Sequence, residues 1–186
     1  MEGTIKGYCI LSTGRFITED ASLRQRVSKE VLAEIARQQT TIKPKDWIPR
    51  PEIMVLWRGV ADAAADDAGA YSDLIRCGES IAEHATGTFL KLLLKVLTPG
   101  MFARKFPDLW AHDHQGGRIE NDEIQDKSMR ITIKDIEGFD HVGAAAPGFI
   151  CFALKAIGLK NIVTRSPNWS RATPGPRDAP LIVTWD

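Results

Sequence analysis

Apolar residues recur at helical spacing through the leading part of the chain and alternate with polar ones in its later part. The stretch TEDASLRQRVSKEVLAEIARQ brings Leu23, Val27, Val31, Leu32 and Ile35 to one side and predicts a helix capped by Asp20 or Ser22. Pro44, Pro49 and Pro51 then preclude a continuous helix. From Glu52, EIMVLWRGVADAAADD predicts a second helix, with Pro51 at its first turn and Ile53, Leu56, Trp57 and Val60 on one face. A third runs from Tyr71 to about His84, its apolar positions being Leu74, Ile75, Cys77 or Gly78, and Ile81. Thr86, Gly87 and Thr88 interrupt it, and Phe89 to Leu97 continues as a strongly apolar helix ended by Thr98, Pro99 and Gly100. MFARKFPDLWAHDHQGG predicts another short helix stopped by a glycine pair. Ahead of all these, TIKGYCILSTGRFI is β-prone around Gly7 and Gly14 and predicts a short hairpin or an extended arm.

The period then changes. MRITIKDI alternates, with Met129, Ile131, Ile133 and Ile136 toward one side and Arg130, Thr132 and Lys134 on the other, as in a half-buried antiparallel strand. RIENDEI is its candidate partner. Val142 to Ile157 predicts a helix stopped by Gly158, with Gly143 and Gly148 as close-packing positions. In it Phe149, Phe152 and Leu154 or Ile157 are expected to face inward. KNIVTRSP and APLIVTWD predict two more strands, joined by the proline- and glycine-rich NWSRATPGPRD. Helices lead, strands follow and one helix is inserted among them: an α+β order, not alternating βαβ.

Composition narrows the class. A chain of 186 residues suits a single domain, 1–186, with one sizeable core. Lys and Arg number 24, as do Asp and Glu, so charge gives no general pull toward nucleic acid or anionic membrane. Three cysteines without CxxC spacing argue against a disulfide framework or a zinc knuckle and point to a reducing cytoplasm. The N-terminus lacks the apolar core of a signal peptide, and FLKLLLKVL, broken by Lys91 and Lys95, is too short to span a bilayer.

Candidate chemistry is sparse. No Ser-His-Asp set, GxSxG elbow, Walker loop or GxGxxG is present, so a non-enzyme is expected. His112 and His114 form a His-x-His unit, but without third and fourth ligands they read as a solvated helix end and turn, and no metal is expected. Cys77 and His84, seven residues apart, share a helix face; Cys151, between Ile150 and Phe152, reads as core. Arg165, Arg171 and Arg177 near Trp169 read as a solvated loop.

Several ordered signals carry a resemblance: IKG at Ile5–Gly7, Trp47-Ile48-Pro49, GESIAE at Gly78–Glu83, LTPGMFARKFPDLWAHDHQGG at Leu97–Gly117, MRITIKDI and the terminal LIVTWD. With these the chain resembles a family of myxobacterial paralogues of unknown function. That family is similar to the four-vinyl-reductase domain, to haem–nitric-oxide-binding domains and to transport-particle subunits. The resemblance implies N-terminal helices on one face of a C-terminal twisted antiparallel sheet, with an inserted helix closing an apolar cavity. Cys77, Ile81, His84, Phe89, Leu93, Phe149 and Phe152 are the candidates to line it. The Tyr-x-Ser-x-Arg motif that grips the propionates in the haem-binding relatives is replaced by IKDIEGF, so haem is not expected. The cysteine cluster of the zinc-bearing relatives has no counterpart near the C-terminus, so neither is zinc. The reading is a cytoplasmic sensory or regulatory module for a small apolar molecule. The alternative is a dimerisation or protein-interaction scaffold without ligand.

Overall fold

The computed structural model describes residues 3–85, 97–136 and 138–186. In chain order the elements are β1 (Thr4–Lys6), α1 (Gly7–Glu19), α2 (Ala21–Arg26), α3 (Lys29–Thr41), β2 (Trp47–Pro49), α4 (Pro51–Asp62), α5 (Asp67–Ala85), α6 (Pro99–Asp113), β3 (His114–Gln115), β4 (Arg118–Gln125), β5 (Ser128–Lys134), α7 (Val142–Ile157), β6 (Val163–Arg165) and β7 (Ala179–Thr184). The helix expected over Phe89 to Leu97 falls almost wholly outside the described residues.

The architecture is α+β, as the order of patterns predicts. A four-stranded antiparallel sheet runs β4-β5-β7-β6. Its inner face pairs Met129 with Val183, Ile131 with Leu181 and Ile133 with Ala179, all buried, so the alternation in the sequence is the alternation of the sheet. A small second sheet, β2-β1-β3, ties the N-terminus to the chain before α4 and to the end of α6. The buried side chains of both sheets and of the helices form one continuous apolar cluster.

Two N-terminal expectations are corrected. The β-prone opening extends only to Lys6; Gly7 to Glu19 is a helix, with Cys9, Ile10, Thr13 and Ile17 buried. Its glycines are there for close approach. A Cβ on Gly7 would lie 2.2 Å from the Lys43 carbonyl, and one on Gly14 would lie 3.0 Å from Ile35. The single helix expected after Asp20 is two. Val27 is extended, and Ser28 accepts the Val31 amide to start α3, as Asp20 accepts the Leu23 amide to start α2.

α7 runs from Val142 to Ile157 with Gly158 left-handed at its end. It packs on α5 so closely that a Cβ on Gly78 would lie 1.9 Å from the Ala145 carbonyl, and one on Gly148 would lie 2.0 Å from the Ile75 carbonyl. The fully buried positions of α7 include Ile150, Ala153 and Leu154, whereas Phe149, Phe152 and Ile157 are half-buried. Of the residues expected to face inward, Leu154 is fully buried, whereas Phe149, Phe152 and Ile157 only pack against the core from its edge. α7 is covered on several sides, by α5, α6 and strands β6 and β7, so its apolar residues need not fall on one stripe.

Candidate functional site

Where β1, α1, α4, α5, α6 and α7 converge, the core leaves a partly open cavity of about 50 Å³. β1 and α1 supply Ile5, Tyr8 and Cys9, α4 supplies Trp57, and α5 supplies Gly78 and Ile81. The remaining walls are Phe106, Leu109, Trp110, Asp113 and His114 from the end of α6 and β3, and Val142, Ala145, Ala146 and Phe149 from α7. The lining is apolar and aromatic with a few polar groups, the usual make-up of a small-molecule site.

His114 is the polar group of most chemical interest. Its ring stacks on Trp110 at 3.8 Å between centroids, nearly parallel. Its Nδ1 lies 3.2 Å from the Trp110 carbonyl oxygen. A carbonyl can only accept, so Nδ1 carries the proton and Nε2 keeps its lone pair. Burial pushes the imidazole pKa down to about 3, and the nearby Arg50 guanidinium acts in the same direction, so the ring is neutral. Nε2 has no hydrogen-bond partner among the described residues. A neutral imidazole oriented through one nitrogen with the other free is the state in which histidine ligates a metal. Behind it Phe139 is held between two groups, Trp57 stacked at 5.4 Å and the Arg50 guanidinium at 4.4 Å from its centroid. Arg50 also donates to the Gln115 and Gly116 carbonyls and so fixes the turn that follows His114.

At the other pole Asp113 is buried and accepts from Nδ1 of the exposed His112 at 2.7 Å. Tyr8 lies beside it; burial, with Cys9 and Asp113 close by, pushes the phenol pKa far up, so Tyr8 stays protonated. Cys9 is likewise held as a thiol by burial.

Of the residues the sequence nominates for the cavity, Ile81 and Phe149 stand in its wall. Cys77 lies just behind, fully buried, its thiol 3.7 Å from the Thr13 hydroxyl and pushed up to about 12 chiefly by burial. His84 is exposed at the end of α5 and contacts the Ser80 carbonyl, so sharing a helix face with Cys77 does not bring the two to one site. Phe152 is half-buried and not part of the wall. Phe89 and Leu93 lie outside the described residues. His114 was expected on a solvated turn. Strand β3 pairs it with Ile5 instead and turns it into the cavity wall, while His112 stays at the surface. Local spacing flagged the His-x-His pair, but no local signal separates the two; the pairing of residues 5 and 114 does.

Solved structures share this fold. An Fe(II) unliganded H-NOX variant from K. algicida superposes with a TM-score of 0.69 at 11% identity, covering 98% of this chain and 97% of its own. The fold is H-NOX-like. An H-NOX protein from S. oneidensis in the Fe(II)NO state matches with a TM-score of 0.66 at 11% identity, over 98% of this chain and 99% of that one. A protein studied for how porphyrin distortion modulates haem redox potential matches with a TM-score of 0.62 at 8% identity, over 97% and 99%. No family model matches the chain, and no curated protein does. The expectation against haem is overturned by these neighbours. That expectation rested on one strand motif for propionates and took no account of an uncommitted imidazole in the core. No helix among the described residues is long and apolar enough to cross a membrane.

Proposed function

We propose that the chain is a small-molecule-binding sensory or regulatory module whose cavity takes haem, which His114 would hold through its iron. The observation that carries this reading is the neutral His114, anchored through Nδ1 in the wall of an aromatic-lined cavity. The donor chemistry fits the group. Bound there, a haem would supply an iron able to take a small gaseous ligand. The chain's own residues do the rest. The Trp110 carbonyl sets the tautomer, the Trp110 ring sets the plane of the imidazole, and Phe106, Leu109, Ile81 and Phe149 exclude water. A macrocycle exceeds about 50 Å³, so its entry requires the cavity to widen. The ordered sequence signals keep the chain alongside the myxobacterial paralogues they resemble.

Titrating the purified full-length protein with hemin, then reducing it, tests the reading. A saturable Soret band is expected. His114→Ala should weaken it by about tenfold or more, while the exposed His112→Ala leaves it unchanged. A folded protein that gives no saturable band, or a band indifferent to His114→Ala, would sink the assignment. The small volume favours one rival, a dimerisation or protein-interaction scaffold with a filled core. For that rival native mass spectrometry would show a ligand-free dimer and the titration would be flat.

A further inference from the structure

Beside this cavity, around the start of α7, a second group of polar atoms lacks partners. Eight buried side-chain nitrogen or oxygen atoms among the described residues have no hydrogen bond, and four of them meet at the start of α7: Tyr71 Oη, His141 Nδ1, Ser166 Oγ and Trp169 Nε1. Tyr71 and Trp169 have ring centroids 5.5 Å apart, and the His141 ring meets Trp169 edge-on at 6.1 Å. Ser166 lies against the first turn of the helix, since a Cβ on Gly143 would come within 3.1 Å of its hydroxyl. Thr164 is beside Tyr71 but outside hydrogen-bond geometry. His141 itself is 98% buried, being 2% exposed, and precedes the helix at φ 65° without making a side-chain cap. The Val142, Ala144 and Ala145 amides find carbonyl acceptors, whereas the Gly143 amide finds none among the described residues.

Buried polar groups are almost always satisfied, so four in one place call for a partner. Its chemistry follows from theirs. The indole and the amide can only donate, while the two hydroxyls can donate or accept and His141 Nδ1 donates in one tautomer of the neutral ring, so one acceptor can serve them all. The missing partner is therefore an acceptor, and the open N-terminus of a 16-residue helix favours one with negative charge. Of the acids close by, Asp140 is neutralised by Arg58 at 2.6 Å, and Asp62 remains. No Lys or Arg side chain hydrogen-bonds within the group, so a dianion would be unbalanced. We propose that this cluster of donors binds a small monovalent carboxylate beneath the segment from Ser166 to Asp178. That segment forms a strap. Arg171 fastens it to Asp67 at 2.7 Å and to the Ala64 carbonyl at 3.0 Å, and its Pro174 and Arg177 carbonyls accept from His141 and Ile136 amides.

The test uses the whole chain, labelled with nitrogen-15, titrated with sodium formate against sodium chloride at fixed ionic strength. Trp169→Phe assigns the Trp169 indole resonance. Formate is expected to shift that resonance saturably. Ser166→Ala and, separately, Tyr71→Phe should weaken the midpoint several-fold, while His114→Ala leaves it unchanged, which separates this site from the haem reading. Tyr71→Phe removes only a hydroxyl and guards against misfolding in the other variant. A linear drift without saturation, an identical midpoint in both hydroxyl variants, or an equal response to chloride would each overturn the proposal.

Discussion

His141 shows how one residue can couple burial, backbone and pH. It is left-handed at φ 65°, buried, and its pKa is lowered by desolvation, with Arg58 adding to the effect and Asp140 and Asp62 opposing it. The unfolded chain therefore binds a proton near the ordinary histidine pKa of about 6.5, where the folded chain does not. Stability contributed by the neutral ring is full above that pH and is lost as the pH falls below it. Urea unfolding at pH 7.5, 6 and 5 should show a declining midpoint. His141→Asn, which tolerates the left-handed backbone, should flatten the slope. His114, also held neutral by burial, keeps part of that slope in the variant. An unchanged slope would mean that His141 is not held neutral.

Between elements, the crossing of α5 and α7 sets the frame on which the cavity is built. Gly148 sits where a Cβ would be 2.0 Å from the Ile75 carbonyl and 2.7 Å from the Glu79 amide, both backbone atoms that cannot move aside alone. Helix propensity favours Ala over Gly by roughly 0.5–1 kcal/mol. Overpacking costs about 1–3 kcal/mol, so packing decides the sign. Gly148→Ala is expected to lower stability in chemical denaturation. Gly100→Ala in α6, whose Cβ would meet only Ile124 at 3.9 Å among the described residues, should be neutral or stabilising. Equal behaviour of the two would show that the crossing is looser than described.

For the molecule as a whole, a group that binds the folded state and not the unfolded one raises stability by mass action. At a free concentration one hundred times Kd the gain is about 2.7 kcal/mol. Hemin at such an excess should raise the melting temperature of the wild-type chain, and the rise should be lost in His114→Ala. A rise that persists in that variant would point to non-specific adsorption.

Local patterning by itself determined the α+β order, the limits of α7 with its glycine stop, and the MRITIKDI strand with its buried alternation, because periodicity and turn residues act within a few positions of the chain. Only the tertiary structure decided that the β-prone start becomes α1. Locally the stretch around Gly7 and Gly14 reads as a hairpin or extended arm, but the two glycines are contact points for Lys43 and Ile35. The site divides the same way. Ile81 and Phe149 lie at positions that helical spacing and family resemblance could nominate. His114 entered the wall through its pairing with Ile5, across more than a hundred residues, and His112 stayed outside. The cluster at Tyr71, His141, Ser166 and Trp169 is likewise assembled from α5, the start of α7 and the strap. Hydrophobic period reports which face of an element is buried. It carries no record of which distant element covers that face, and that choice placed the imidazole and the donors.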